Sequence, residues 1–181
     1  MNFATMTKRQ NLIYKGSIIN VTVDTVQLPD GTRFELEVVH HPGGAAVVAL
    51  DDNDRVCMLR QYRHVANGWL WELPAGKLDV PETPLHTAQR ELQEEAGLQA
   101  QSWISLGSLL TSPGVFKEVI HLFLARKLSV LHRRPERDEL IEVHWVPFKE
   151  ALDWAHRGKI VDAKSLIGLF RTQVCVEHQN E

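Results

Sequence analysis

The chain of 181 residues contains only two cysteines, Cys57 and Cys175, too few for a disulfide framework. No Cys-x-x-Cys or Cys/His spacing suggests zinc, so both thiols read as packing residues. No apolar run approaches the ~18 residues of a membrane-spanning helix, so no membrane partner is expected. The first stretch, MNFATMTKRQNLIYKG, lacks the apolar core of a signal peptide, which makes a cytoplasmic protein the expectation. Positive charge is not in excess: 20 lysines and arginines stand against 23 acids, a formal net charge of -3. That leaves no basic footprint for nucleic acid, although a bound cation would still permit an anionic substrate. Repeats and low-complexity segments are absent. What remains is 44% apolar and 24% charged, ordinary globular composition at a length that supports one domain and a small appendage.

Residues 1–11 are polar and are expected to be loosely ordered. From Leu12 to Leu28 the pattern favours strands, first LIYKG and then the β-branched run SIINVTVDTVQL. That run and the segment TRFELEVVHH flank the turn signal Pro29-Asp30-Gly31, which predicts a hairpin over 17–41. A hairpin of that size is not stable alone. Further strand-like runs are AAVVAL (45–50), RVCMLRQYR (55–63), WLWELPAG (69–76), QSWISLGSLLTS (101–112), EVIHLFLARKL (118–128) and LIEVHWVP (140–147). KEALDWAHRG (149–158) reads as a helix closed by Gly158. Asp162 is placed to N-cap a final helix with Leu166, Ile167, Phe170 and Val174 on its apolar side. Strands, helix, strands and two helices predict an α+β fold, a mixed sheet covered on both faces. The division expected is 1–41 for the hairpin region and 42–181 for the main body.

Between the strand groups lies GKLDVPETPLHTAQRELQEEAGL, residues 76–98. Thr83 suits an N-cap, Pro84 the first turn, and Gly97 the position just past the last turn. Leu85, Ala88, Leu92 and Ala96 form a stripe of ~80° that would face the sheet. Glu91, Glu94 and Glu95 share the flank beside it, and Arg90 is placed to hold them. An acidic helix flank is commonly just solvated. Two features weigh against that here. Glu91 and Glu95 form a like-charge pair one turn apart, which costs a few tenths of a kcal/mol. Gly76, after Leu73-Pro74-Ala75, admits a close approach of backbone to the helix. A divalent cation would satisfy the cluster.

The spacing G-x5-E-x7-R-E-U-x-E-E-x-G-U (U apolar) is complete in Gly76, Glu82, Arg90, Glu91, Leu92, Glu94, Glu95, Gly97 and Leu98. Seven fixed identities at ~7% usage make a chance match on the order of 10⁻⁸ per starting position. The stretch resembles the Nudix box. The resemblance implies a Nudix α/β/α sandwich with a mixed central sheet, plus a small N-terminal antiparallel β-sheet. It implies hydrolysis of a nucleoside diphosphate linked to another moiety, with Mg2+ or Mn2+. The implied metal ligands are Glu91, Glu94, Glu95 and the Ala75 carbonyl, with Glu82 supporting and Arg90 positioning the carboxylates. The implied catalytic set is Glu94, Arg90 and a general base, Glu139, in the loop PERDELIEV; Glu136 is the alternative base. Relatives often carry a second acid two positions before the base, where this chain has Arg137.

The segments VVHHPGGAAVVAL, LRQYRH, WLWELPAG and TSPGVFKEVIHLFLA resemble ADP-ribose pyrophosphatases and related nucleoside diphosphate sugar hydrolases. Pro113, 15 residues beyond Leu98, stands where that subfamily has its marker proline. The same resemblance implies that Arg63, Glu72, Phe34, Glu118 and Pro113 serve substrate binding, with Trp69 and Trp71 near the site. Phe34 reads equally as core or interface packing, and Pro113 alone as a turn proline. A homodimer with exchanged N-terminal sheets is implied. ADP-ribose, split to AMP and ribose 5-phosphate, is the leading substrate. GDP-mannose or a broad range of nucleotide sugars is the alternative, and a non-catalytic ligand sensor is remote because every box acid is kept.

Overall fold

The computed structural model describes residues 6–133 and 140–178. These fall into two units, one running to Gly43 and including Leu110–Val119, the other made of Gly44–Leu109 and the chain from Ile120 onward.

In the first unit, β1 (Met6–Lys15), β2 (Asn20–Gln27) and β3 (Arg33–His40) pair antiparallel in that order. Gly31, at φ 90°, closes the β2–β3 turn by donating its N–H to the Leu28 carbonyl at 3.0 Å. Val39 and His40 run parallel to Phe116 and Lys117. The expectation that residues 1–11 are loose is corrected from Met6 onward. Residues 7–14 of β1 are exposed, so hydrophobic alternation carries no sign of the strand; its ladder to β2 holds it. On β2, alternate residues Thr22, Asp24 and Val26 are buried. Asp24 accepts from Thr22 Oγ1 at 2.6 Å and from Gln10 Nε2 at 2.9 Å, which satisfies the buried carboxylate.

The second unit is built on β4 (Gly44–Ala49), whose six residues are all buried. It runs parallel to β9 (Phe116–Val130), with Gly44 opposite Ile120 and Ala49 opposite Ala125, and antiparallel to β7 (Ala75–Lys77). β8 (Leu98–Ser112) lies on β9. A second sheet is antiparallel in the order β10 (Ile141–Pro147), β5 (Arg55–Arg63), β6 (Gly68–Glu72). Among the described residues, the α-helices α1 (Pro84–Ala96), α2 (Phe148–His156) and α3 (Ala163–Glu177) cover the strands. Ala45, Val47 and Ala49 of β4 pack with Cys57 against Ala88, Leu92 and Ala96 of α1. Val48 and Leu50 point the other way, into a core with Met58 of β5, Leu124 of β9, Ala151 and Ala155 of α2, and Leu169 of α3. Burial on both faces explains why β4 reads as a continuous apolar run. The fold is α+β, with a mixed central sheet and a second small antiparallel one. Among the described residues no helix is long and apolar enough to cross a membrane.

Two local expectations change. WLWELPAG is not one strand: β6 ends at Glu72, and β7 begins at Ala75 in the other sheet. Pro74 sits at the switch, where its missing N–H is no loss and its carbonyl accepts from Val47 N–H at 2.9 Å. On α3 Leu166, Ile167 and Phe170 pack partly buried against the core as expected, but the fully buried residues are Ser165, Gly168, Leu169 and Thr172, and Val174 is exposed. Small residues win the inner face because the helix lies close to the sheet. A Cβ at Gly168 would stand 2.7 Å from Leu73 Cδ1 and 3.2 Å from Val48 Cγ2. Gly168→Val is therefore expected to destabilise by about 1–3 kcal/mol through overpacking. Thermal unfolding should show this as a Tm lower by several degrees, at ~2–4 °C per kcal/mol for a chain of this size.

Candidate active site

The site grows from α1 and the strand beside it. Thr83 Oγ1 caps the helix by accepting from His86 N–H at 3.2 Å, and Gly97, at φ 68°, ends it by donating to Gln93 O. The helix buries Ala88, Leu92 and Ala96 as its stripe predicts, but Leu85 in the first turn is exposed. The adjoining flank is buried too, and it is polar: Thr87, Glu91 and Glu95.

β7 explains that burial, because its backbone runs along this flank. Ala75 N–H donates to Glu95 Oε2 at 2.8 Å. The Glu91 carboxylate fills the space a side chain on residue 76 would take. Arg90 Nη2 donates to Lys77 O at 3.2 Å. Three consecutive residues of β7 thus each meet one residue of α1, and only glycine fits the middle position.

Arg90 ties the acids together. Its Nη1 donates to Glu91 Oε1 at 2.7 Å and Glu94 Oε2 at 3.0 Å, and its Nε to Glu82 Oε1 at 3.2 Å. Burial works against the guanidinium charge, but the Glu82 hydrogen bond and the Glu91 and Glu94 carboxylates outweigh it and raise its pKa. The hydrogen bond from Arg90 in turn holds the Glu82 carboxyl below its usual range, with Thr87 Oγ1 assisting at 2.9 Å. Cys57 is fully buried. Desolvation, with the Glu95 charge adding to it, pushes its thiol up to about 12, which makes it a packing group and not a nucleophile.

A second cluster joins β5, β6 and α3. Arg63 Nε and Nη2 donate to Glu72 Oε1 and Oε2 at 2.8 and 2.9 Å, and Lys164 Nζ donates to Glu72 Oε2 at 2.5 Å. Burial raises the Glu72 pKa, but the Arg63 hydrogen bonds and the Lys164 and Arg63 charges outweigh it and hold the carboxyl at about 2, against 4.5 for a free glutamate. The folded pKa is depressed, so this stabilisation is complete above pH ~4.5 and is lost as pH falls toward ~2. It is on the order of 3 kcal/mol. Urea unfolding from pH 6 down to 3 should show wild type losing stability more steeply than Glu72→Gln. Parallel profiles would contradict the assignment.

The structure thus gathers Ala75, Gly76, Glu82, Arg90, Glu91, Glu94 and Glu95 in one cluster, and Arg63 with Glu72 in another. Trp71 packs against Trp154 at 4.9 Å and is partly buried against the core, while Trp69 lies edge-on to Tyr62 at 5.9 Å. Phe34, Pro113 and Glu118 belong to the first unit. Phe34 is partly exposed opposite Val26, and Pro113 sits in the turn that Val115 N–H closes onto Ser112 O at 3.2 Å. Glu118 Oε1 lies 3.0 Å from His41 Nδ1. Glu139, Glu136 and Arg137 lie outside the described residues. Lys164 escaped sequence reasoning: it is 92 residues from Glu72, and a lysine in the first turn of a helix carries no motif.

The α1–β7 cluster offers carboxylate and carbonyl oxygens only, the donor set of hard divalent cations. Among the described residues no three His, Cys, Asp or Glu are already gathered as a metal centre. Arg90 serves as counter-charge to Glu91 and Glu94. The donor chemistry fits an Mg2+-type ion.

An acidic helix laid along a glycine-bearing strand, in a mixed-sheet fold, places this chain in the Nudix family, and the NUDIX domain model matches residues 40–166. Among curated relatives, an ADP-ribose pyrophosphatase of Bacillus subtilis is 39% identical over 89% of this chain and 87% of its own length. An ADP-ribose pyrophosphatase of Mycobacterium tuberculosis is 41% identical over 87% of this chain and 77% of its own. A methanol dehydrogenase activator of Bacillus methanolicus is 34% identical over 98% of both. A crystal structure of an ADP compounds hydrolase superposes with a TM-score of 0.83 at 19% identity, covering 97% of this chain and 95% of that one, and so shares the fold.

Proposed function

We propose that this chain is a cytoplasmic Nudix pyrophosphatase that hydrolyses the diphosphate linkage of nucleoside diphosphate sugars with Mg2+ (or Mn2+), and that ADP-ribose is its favoured substrate. The observation that carries the proposal is the α1–β7 contact, where Glu91 lies in the space left by Gly76 and Glu95 holds the Ala75 amide. Kinship with two ADP-ribose pyrophosphatases supports the choice of substrate.

Glu91, Glu94, Glu95 and the Ala75 carbonyl hold the cation. When bound, Mg2+ neutralises the diphosphate, polarises phosphorus and lowers the pKa of water. Arg90 fixes the Glu91 and Glu94 rotamers. Glu139 takes the proton of the attacking water. An O–P bond forms at one phosphorus, the P–O–P bridge breaks, and each product leaves as a phosphate monoester: AMP and ribose 5-phosphate. Arg63 donates to the diphosphate. Phe34, Glu118 and Pro113 contribute to the substrate side together with the N-terminal region, residues 1–41, which also mediates dimerisation.

A panel of ADP-ribose, GDP-mannose, ADP-glucose, UDP-glucose and a dinucleoside polyphosphate, assayed with Mg2+ and scored by nucleotide product, tests the substrate. AMP from ADP-ribose at the highest kcat/KM is expected; GMP from GDP-mannose at a higher value would move the assignment to that sugar. Sedimentation at micromolar concentration should give a homodimer. A fully active monomer would remove the role given to the N-terminal region.

A further inference from the structure

We infer that Lys164, on α3, is a positioning residue of the substrate site, fixing the Arg63 guanidinium through Glu72 so that one edge stays free for an anion. The inference rests on the proposed function for the place of Arg63 in the substrate site and for the identity of that anion, a diphosphate.

Arg63 gives Nε and Nη2 to Glu72. Its Nη1 has no partner among the described residues, and its side chain is 36% exposed. An arginine bound along one edge by a carboxylate presents the other edge in a fixed plane, the geometry that phosphate oxygens take. The plane is only as fixed as the carboxylate. A glutamate bound on one side pivots freely about its last torsion, which has a broad preference. Lys164 removes that freedom by holding Oε2 from the side of α3.

Lys164 is anchored in turn. Its Nζ donates to Asp162 Oδ1 at 2.9 Å, and Asp162 Oδ2 caps α3 by accepting from Ser165 N–H at 3.0 Å. Ser165 Oγ accepts from Leu73 N–H at 2.8 Å, two residues before Ala75. One turn of α3 therefore sets both the Arg63 plane and the path of the chain into β7. Arg63 and Lys164 balance Glu72 and Asp162, so the cluster is neutral before an anion arrives. Lys164 has two of its three N–H groups on carboxylates and is mostly covered, and Arg63 is the member with an exposed edge to offer.

The test is a double-mutant cycle with a spectroscopic arm. Lys164→Met should raise KM for the sugar nucleotide about tenfold with kcat within about threefold, and Lys164→Arg should restore most of it. In an Arg63→Ala background, Lys164→Met should add less than about twofold. The Arg63 Nε–H resonance, slow to exchange with solvent in wild type and Lys164→Arg, should be lost in Lys164→Met. Lys164→Gln, which keeps a donor without charge, is the second variant if methionine prevents folding. A resonance that persists in both charge-removing variants overturns the inference. Additive KM effects do so too, because they would mean that Lys164 touches substrate itself. If wild type hydrolyses no sugar nucleotide, the proposed function fails. The resonance, with calorimetric binding of inorganic diphosphate to wild type and Lys164→Met, then decides the positioning role: weaker binding by the variant supports it, and equal binding overturns it.

Discussion

Glutamine in place of Glu95 is expected to lower Mg2+-dependent kcat by about 10²–10³-fold while leaving the fold intact. The two halves of that expectation have different causes. Glu95 is fully buried and accepts from Ala75 N–H at 2.8 Å. A glutamine of the same length keeps a carbonyl oxygen for that amide, so β7 stays in place and the circular dichroism and Tm should change little. What is lost is the charge. A cation between carboxylates contributes several kcal/mol to a phosphoryl transition state, and each 1.36 kcal/mol is tenfold in rate. A near-normal rate in Glu95→Gln would remove Glu95 from the ligand set.

Gly76→Ala should be nearly as damaging for a different reason. The new methyl group would coincide with the Glu91 carboxylate. Either Glu91 is expelled from the cluster or β7 lifts away from α1, which also strains the Ala75–Glu95 hydrogen bond. Overpacking of this kind costs about 1–3 kcal/mol, and misplacing one carboxylate is expected to cost kcat about 10²-fold. The double variant Gly76→Ala/Glu91→Ala separates the effects. It should recover the stability that Gly76→Ala loses, because the clash is gone, and remain inactive, because the ligand is gone. Wild-type activity in Gly76→Ala would mean that the contact between Glu91 and β7 has no part in the reaction.

The site was legible where its residues are consecutive. Thr83, Pro84 and Gly97 mark the ends of α1, the spacing of Ala88, Leu92 and Ala96 gives its inner stripe, and the acids fall on the adjoining flank by geometry alone. The burial of Glu91 and Glu95 was not legible, because it comes from β7, and the sequence runs from Trp69 to Gly76 with no sign that the chain changes sheets at Pro74. Only the end of β1, in LIYKG, is legible as strand; its start, from Met6, is not, because a strand exposed on both faces has no hydrophobic period. On α3 Leu166, Ile167 and Phe170 pack against the core as their spacing predicts and only Val174 does not. The fully buried centre of that face is not legible, because hydropathy ranks Ser165 and Gly168 low, whereas close approach to Leu73 and Val48 selects them. Arg63 and Glu72 were named separately as substrate residues; the ion pair between them, and Lys164 behind it, depend on three elements meeting in space.

The central claim, that this chain splits a diphosphate linkage on a cation held by α1 and β7, is tested most directly by phosphorus NMR of ADP-ribose incubated with the protein and Mg2+. The two diphosphate resonances should give way to two phosphomonoester resonances, those of AMP and ribose 5-phosphate, and a chelator or Glu95→Gln should stop the change. Turnover that persists after chelation, or diphosphate resonances that stay intact for ADP-ribose and for every other sugar nucleotide of the panel, would contradict it.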